Sequence, residues 1–130
     1  MTPTTLASAG LAAPPLPARL TRAVREAWSR ATAAPGQWDP ALPAAGQCAV
    51  TALVVQDLLG GDLLRATIAG RSHYWNRVAG ADVDLTREQF RSFDLDGPPE
   101  RRDRAYVLSF ADTAARYALL RARVLTLAAL

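Results

Sequence analysis

One segment constrains this chain more than any other: CAVTALVVQDLL, from Cys48 to Leu59. It carries apolar side chains on almost every side, so it has to be covered on more than one face whatever its conformation. The valines and threonine would suit a strand. The absence of any breaker over twelve residues, and the Gly60-Gly61 pair that closes it and supplies a C-cap, argue for a buried helix. A chain of 130 residues has room for one domain with a core able to hold such a helix. Half of its residues are hydrophobic, which excludes wholesale disorder, and no apolar run reaches the ~18–20 residues of a membrane span.

The flanking segments supply candidate cover. Leu20 to Arg30 places Leu20, Val24, Ala27 and Trp28 at helical spacing, a short amphipathic helix, and residues 33–46, rich in proline and glycine, form a loop. Asp62 to Ile68 and Ser72 to Val78 read as strands separated by Ala69-Gly70-Arg71, and Ala79-Gly80 turns the chain into a third strand, Ala81 to Leu85. Thr86 to Phe93 reads as a helix: Thr86 caps it, Gln89 completes a capping box, and Leu85 and Phe90 form a hydrophobic staple. Residues 94–104 read as a polar loop. Ser109 to about Ala128 reads as a helix with Ser109 as cap, an Asp112–Arg116 pair, and Phe110, Ala114, Tyr117, Leu120, Val124 and Leu127 facing inward. The expected architecture is a single α+β domain over residues 19–130, with helix 48–59 packed on an antiparallel sheet and the C-terminal helix covering it. Residues 1–18 hold four prolines and no charge, an irregular arm without the basic start of a secretory signal, which predicts a cytoplasmic protein.

Composition removes whole classes of chemistry. One cysteine and one histidine leave no disulfide framework and no multi-cysteine or poly-histidine metal site, so neither a metal nor another cofactor is expected. All 15 basic residues are arginine, which excludes Schiff-base and P-loop lysine mechanisms. The net charge of +3 raises the question of nucleic acid, but only Arg101, Arg102 and Arg104 cluster. Asp103 interrupts them, Glu100 precedes them and no aromatic residue stands among them, so they read as a solvated charge run; neither nucleic acid nor membrane is an expected partner.

What remains is a cysteine, a histidine and an aspartate. Cys48 opens the buried helix, where free backbone N–H groups and the helix dipole favour a thiolate and can receive an oxyanion. The competing reading of Cys48 is a small buried hydrophobe. If the hairpin turns tightly on Ala79-Gly80, Val78 faces Ala81 and Trp75 faces Asp84. His73 and Asp84 are then diagonal neighbours on one face, whereas a three-residue turn would separate them. Because Thr86 is expected to cap the next helix, Asp84 is left free for the imidazole. Gln37 or Gln47 is a candidate side-chain donor to an oxyanion, while Trp75 could shield the His–Asp pair from water and Trp38 could wall a cleft. Asn76 points to the opposite face.

The segments GQCAVTALVVQDLLGG, HYWNRVAGADVDLTREQF and RYALLRARV resemble the YunG family of small bacterial proteins over roughly Leu20 to Val124. HYWN…G…DLT also resembles the His…Asp hairpin of transglutaminase-like and papain-like cysteine enzymes, which follows a cysteine that starts a buried helix. That wider resemblance implies a small papain-like core, with Cys48 as nucleophile, His73 as base and Asp84 as orienting acid. The chain departs from it in having only Gln47 close before the cysteine, and in being very short for a protease. Two functions are therefore expected. One is a cysteine-dependent hydrolase or acyl transferase acting on an amide, thioester or isopeptide bond of a peptide or protein substrate. The other is a non-catalytic peptide- or protein-binding module built on the same fold.

Overall fold

Cys48–Leu59 does form a helix (α2) in a computed structural model that describes residues 15–130, and it is covered from both sides. A helix α1, Leu16–Ala27, precedes it. Strands β1 (Asp62–Ile68), β2 (Arg71–Val78), β3 (Ala81–Val83) and β4 (Leu95–Arg102) form one antiparallel sheet in the order β3-β2-β1-β4. A short helix α3, Arg104–Leu108, leads into α4, Thr113–Leu127. The protein is thus α+β, with four α-helices and a four-stranded sheet among the described residues.

The layers explain why α2 lacks a polar side. Ala52 and Leu53 pack on Leu63 and Tyr74 of the sheet together with Val107 of α3. Val50, Val54 and Val55 pack the other way, on Leu20 and Val24 of α1 and Leu120 and Val124 of α4. Residues Val50 to Val55 are all buried, and the one hydroxyl among them, Thr51 Oγ1, accepts a 2.9 Å bond from Trp28 Nε1. Asn76, on the sheet face that meets α2, donates from Nδ2 to the Ala52 carbonyl at 2.9 Å. The C-terminal helix accordingly covers α2 and α1, not the sheet. Phe110 lies outside α4, and Leu127 within it is half exposed, so the inward positions are Leu120 and Val124 with Tyr117 at the margin.

Several boundaries differ from the sequence reading. Helix α1 begins at Leu16, with Pro15 as its N-cap and Pro17 in the first turn, where a missing N–H costs no helical bond, so residues 16–18 belong to the folded unit; the rest of the expected arm, 1–14, lies outside the described residues. It ends at Ala27, short of Arg30. Residues 86–93 form one 3₁₀ turn at Arg87–Gln89, with no side-chain cap from Thr86. Ser109 caps nothing in α4: Asp103 caps α3 instead, accepting from the Tyr106 N–H at 2.8 Å. Residues expected to be a loop form β4. Its Gly97-Pro98-Pro99 stand opposite Ala66 alone, between the pairs Arg65↔Glu100 and Thr67↔Asp96. Prolines are tolerated there because β4 is an edge strand and the bulge needs no ladder donors.

The junction from α2 to β1 turns on Gly60 (φ +77°) and Gly61 (φ +82°), and Gln56 Nε2 closes it by donating to the Gly61 carbonyl at 3.0 Å. A Cβ at Gly61 would lie 2.2 Å from the Arg77 carbonyl oxygen, whereas one at Gly60 would meet nothing within 4 Å. Gly60 (φ +77°, ψ −156°) lies in a backbone region nearly reserved for glycine, so Gly60→Ala is expected to cost that backbone strain alone, about 1–3 kcal/mol. Gly61→Ala should cost distinctly more, because the β1–β2 pairing has to move as well. Urea unfolding of the two variants checks the order; equal losses would contradict it.

Candidate active site

The site is built from the β2–β3 hairpin. Ala79 and Gly80 both take positive φ, +51° and +83°, the geometry of a two-residue turn whose twist matches the strands. The register that follows pairs Val78 with Ala81, Arg77 with Asp82 and Asn76 with Val83. Asp84 comes next, opposite Trp75, and its Oδ2 accepts a 2.7 Å bond from His73 Nε2. The predicted turn and the predicted His–Asp pairing are both present. The β1–β2 connection is likewise a two-residue turn, Ala69-Gly70, so Arg71 belongs to β2 and not to the turn.

His73 is completely buried, and the Asp84 side chain is 10% exposed. Trp75 stacks on the imidazole at 5.6 Å between ring centroids, and Phe90 and Phe93 meet it edge-on at 4.8 and 5.6 Å. Burial alone drives the imidazole toward its neutral form. The hydrogen bond with Asp84 opposes this, joined by hydrogen bonding and charge from Cys48 and by the charge of Asp84, and the balance raises the His73 pKa from 6.5 to about 9. The ring therefore favours its protonated form, paired with the Asp84 carboxylate. With Nε2 committed to Asp84, Nδ1 is the nitrogen left for exchange.

Asp84 has a second task that the sequence reading gave to Thr86. Its Oδ1 accepts from the Thr86 N–H at 3.2 Å and lies 3.4 Å from the Thr86 hydroxyl. One oxygen thus orients the imidazole while the other turns the chain into the 3₁₀ segment. Thr86 is buried and donates to the aspartate instead of capping a helix.

Cys48 is half-buried at the first position of α2. The first bond that continues into the helix runs from Thr51 N–H to the Gln47 carbonyl, so the N–H groups of Cys48, Ala49 and Val50 precede the ladder, and no side chain caps them. The two glutamine candidates separate. Gln47 is fully buried, its Nε2 donating to the Ser29 carbonyl at 3.1 Å, and its Oε1 has no hydrogen-bond partner. Gln37 is exposed and packs over Gly46, two residues before the cysteine: a Cβ on that glycine (φ +78°) would fall 2.9 Å from the Gln37 Cβ. Gln37 Oε1 accepts from Arg71 Nη2 at 3.1 Å. Trp38 is half-buried in the same loop.

A cleft of about 440 Å³ opens here, lined by Gln37, Asp39, Leu42, Arg71 and Gln89 among others. Gln89 Nε2 lies 3.5 Å from His73 Nδ1, the exchangeable nitrogen. Sequence reasoning assigned Gln89, Phe90 and Phe93 to a helix and so missed that all three enclose His73. The signal available was the density of aromatic residues in the ten positions after Asp84.

Fold and site together define a small α+β protein with a half-buried cysteine at a helix start and a buried His–Asp pair. The YunG protein family model matches residues 16–129, and the chain belongs to that family. It is 33% identical over 85 residues to the uncharacterized protein YunG of Bacillus subtilis (strain 168), covering 65% of this chain and 72% of that one. No solved structure matches the chain. Among the described residues no helix is long and apolar enough to cross a membrane, and no group of three or more His, Cys, Asp or Glu could hold a metal ion.

The raised pKa fixes the sign of a pH effect. Folded His73 keeps its proton to about pH 9, whereas the unfolded imidazole releases it near 6.5. The stabilisation is complete below pH 6.5 and is lost as pH rises through 9. Unfolding midpoints should fall across that window, and the NMR signal of the single histidine should titrate near its upper end. Asp84→Asn should shift the titration downward; a histidine titrating at or below 6.5 in the unmutated protein would contradict the assignment.

Proposed function

We propose that this protein is a cysteine-dependent hydrolase or acyl transferase, a small papain-like or transglutaminase-like enzyme acting on an amide, thioester or isopeptide bond of a peptide or protein. The observation that carries the reading is the fully buried His73, bonded through Nε2 to Asp84 at 2.7 Å, with Cys48 also contributing to its raised pKa. An apolar cage without a function would have no use for a charged pair, since burying charge costs several kcal/mol unless it is closely partnered.

In this mechanism the Cys48 thiolate attacks the carbonyl carbon, forming a C–S bond while the carbonyl π pair moves onto oxygen. That oxyanion sits at the N–H groups opening α2, with the Gln37 amide as the side-chain donor. Collapse restores the carbonyl and breaks the bond to the leaving nitrogen or sulfur, which takes the proton from His73 Nδ1. Neutral His73 then accepts a proton from water or an acceptor amine as it attacks the thioester, and Cys48 departs as thiolate. Asp84 holds the ring so that Nδ1, not Nε2, handles the proton. A nucleophilic free thiol suits a reducing compartment such as the cytoplasm.

Mass spectrometry after incubation with a simple acyl thioester is the test. An adduct of the acyl mass is expected on Cys48 and none on Cys48→Ala. Asp84→Asn should slow adduct formation by about 100-fold, since one amide oxygen cannot serve both the imidazole and Thr86. With an amide substrate, turnover should decline as pH passes about 9, where the imidazolium that protonates the leaving nitrogen is lost. A Cys48 that forms no adduct and alkylates no faster than free cysteine would overturn catalysis and leave the peptide-binding reading.

A further inference from the structure

We propose that the depression on the α3–α4 side of Cys48 is a subsite for an apolar group of the acyl donor, up to the size of a benzyl or leucyl side chain; this rests on the acyl-transfer reading above. Three observations carry it. The depression begins one residue from Cys48: Ala49, which follows the cysteine in α2, lines it together with Ser72, which belongs to the sheet face opposite His73. Its remaining lining is Tyr74, Val107, Phe110 and Thr113. No charged side chain lines it, and of its three hydroxyls Ser72 accepts from Arg65 Nε at 2.7 Å and Thr113 from Arg116 Nη2 at 3.4 Å, with Tyr74 as the third. The wall is therefore mainly apolar and selects chiefly by shape and apolar surface.

Its volume, about 180 Å³, fixes the size of the occupant. A dry protein cavity of about 150 Å³ holds a benzene molecule. The mouth adds a further argument. Phe110 is 50% exposed and Tyr106 43%, packed edge to face at 5.3 Å, an aromatic pair left facing solvent beside the pocket. An apolar substituent seated there would cover part of that surface. The cleft on the other side of Cys48, with Arg71, Gln37, Gln89 and Asp39, is polar. A donor with an apolar group on one side of the reacting carbonyl and a polar continuation on the other fits both.

The test uses Cys48 itself. Second-order alkylation rates are measured with chloroacetamide, N-butylchloroacetamide and N-benzylchloroacetamide, each divided by its rate with free cysteine. The benzyl reagent is expected to exceed the unsubstituted one by about tenfold, the gain from partly burying a phenyl group. Ala49→Leu fills the pocket and Phe110→Ala removes its exposed wall, so both should bring the ratio toward one; Phe110→Ala is the variant least able to disturb folding. A flat ratio in the unmutated protein, or one that both variants leave intact, overturns the subsite. Should Cys48 react with none of the reagents, toluene titration followed at the Ala49, Val107 and Thr113 methyl groups decides, and the absence of a saturable shift overturns it. A benzyl preference without thioester turnover would instead sink the enzymatic reading and keep the pocket. Turnover with a flat preference would sink the pocket alone.

Discussion

A helix without a polar side has to be enclosed, and the enclosure of α2 organises the rest of this molecule. The sheet takes one side and the α1–α4 pair the other, with each large side chain so buried contributing about 1.5–3 kcal/mol. Thr51 and Asn76 satisfy the few polar demands of that layer without opening it to water. An element held this firmly presents a defined end. Gly46 and the buried Gln47 bring the chain into the helix, and the first side chain that reaches partly toward solvent is Cys48. The rigidity that a reactive group needs thus comes from the same packing that folds the domain.

The imidazole on the other side of the site is maintained by opposing forces. Trp75, Phe90 and Phe93 exclude water, which penalises the charged ring and strengthens any partner it has. Asp84 at 2.7 Å decides the contest in favour of charge. The segment carrying Asp84 is tied elsewhere too: Arg25 of α1 pairs with Glu88 and reaches the Leu85 carbonyl at 3.5 Å. Being exposed, that tie adds little energy, but it joins the helical layer to the chain that orients the histidine.

How much of this was legible follows from how local each determinant is. The hairpin register depended on two adjacent residues, Ala79 and Gly80, and with them came the His73–Asp84 pair. Helix α2 was legible because twelve residues, nine of them apolar, ending in two glycines admit few alternatives. Strand β4 was not, because LDGPPERR carries the composition of a loop and becomes a strand only where the β1 edge accepts its bulge. The helix expected at 86–93 failed for a related reason. Its capping signals are genuine by composition, yet Asp84 captures the Thr86 N–H, and Phe90 and Phe93 gain more by packing on His73 than by continuing a helix. Which of Gln37 and Gln47 faces the core depended on a contact 18 residues away in sequence, the bond from Gln47 to the Ser29 carbonyl.

A lone histidine in a small protein invites a choice between a structural and a chemical role, and the packing here dissolves that choice. Residues 84–93 hold only a single 3₁₀ turn and no buried aliphatic side chain. Their order comes from Asp84 bonding the ring at one end and two phenylalanines meeting it edge-on at the other. The same segment supplies the carboxylate that keeps the ring charged and the Gln89 amide beside its free nitrogen. Removing the imidazole would take away the surface on which its own cage is assembled, while removing the carboxylate would leave the cage around a ring with less reason to be charged. The fold of this segment and the chemistry proposed for His73 thus rest on the same interaction, where the sheet, the α1 tether and the start of α2 converge.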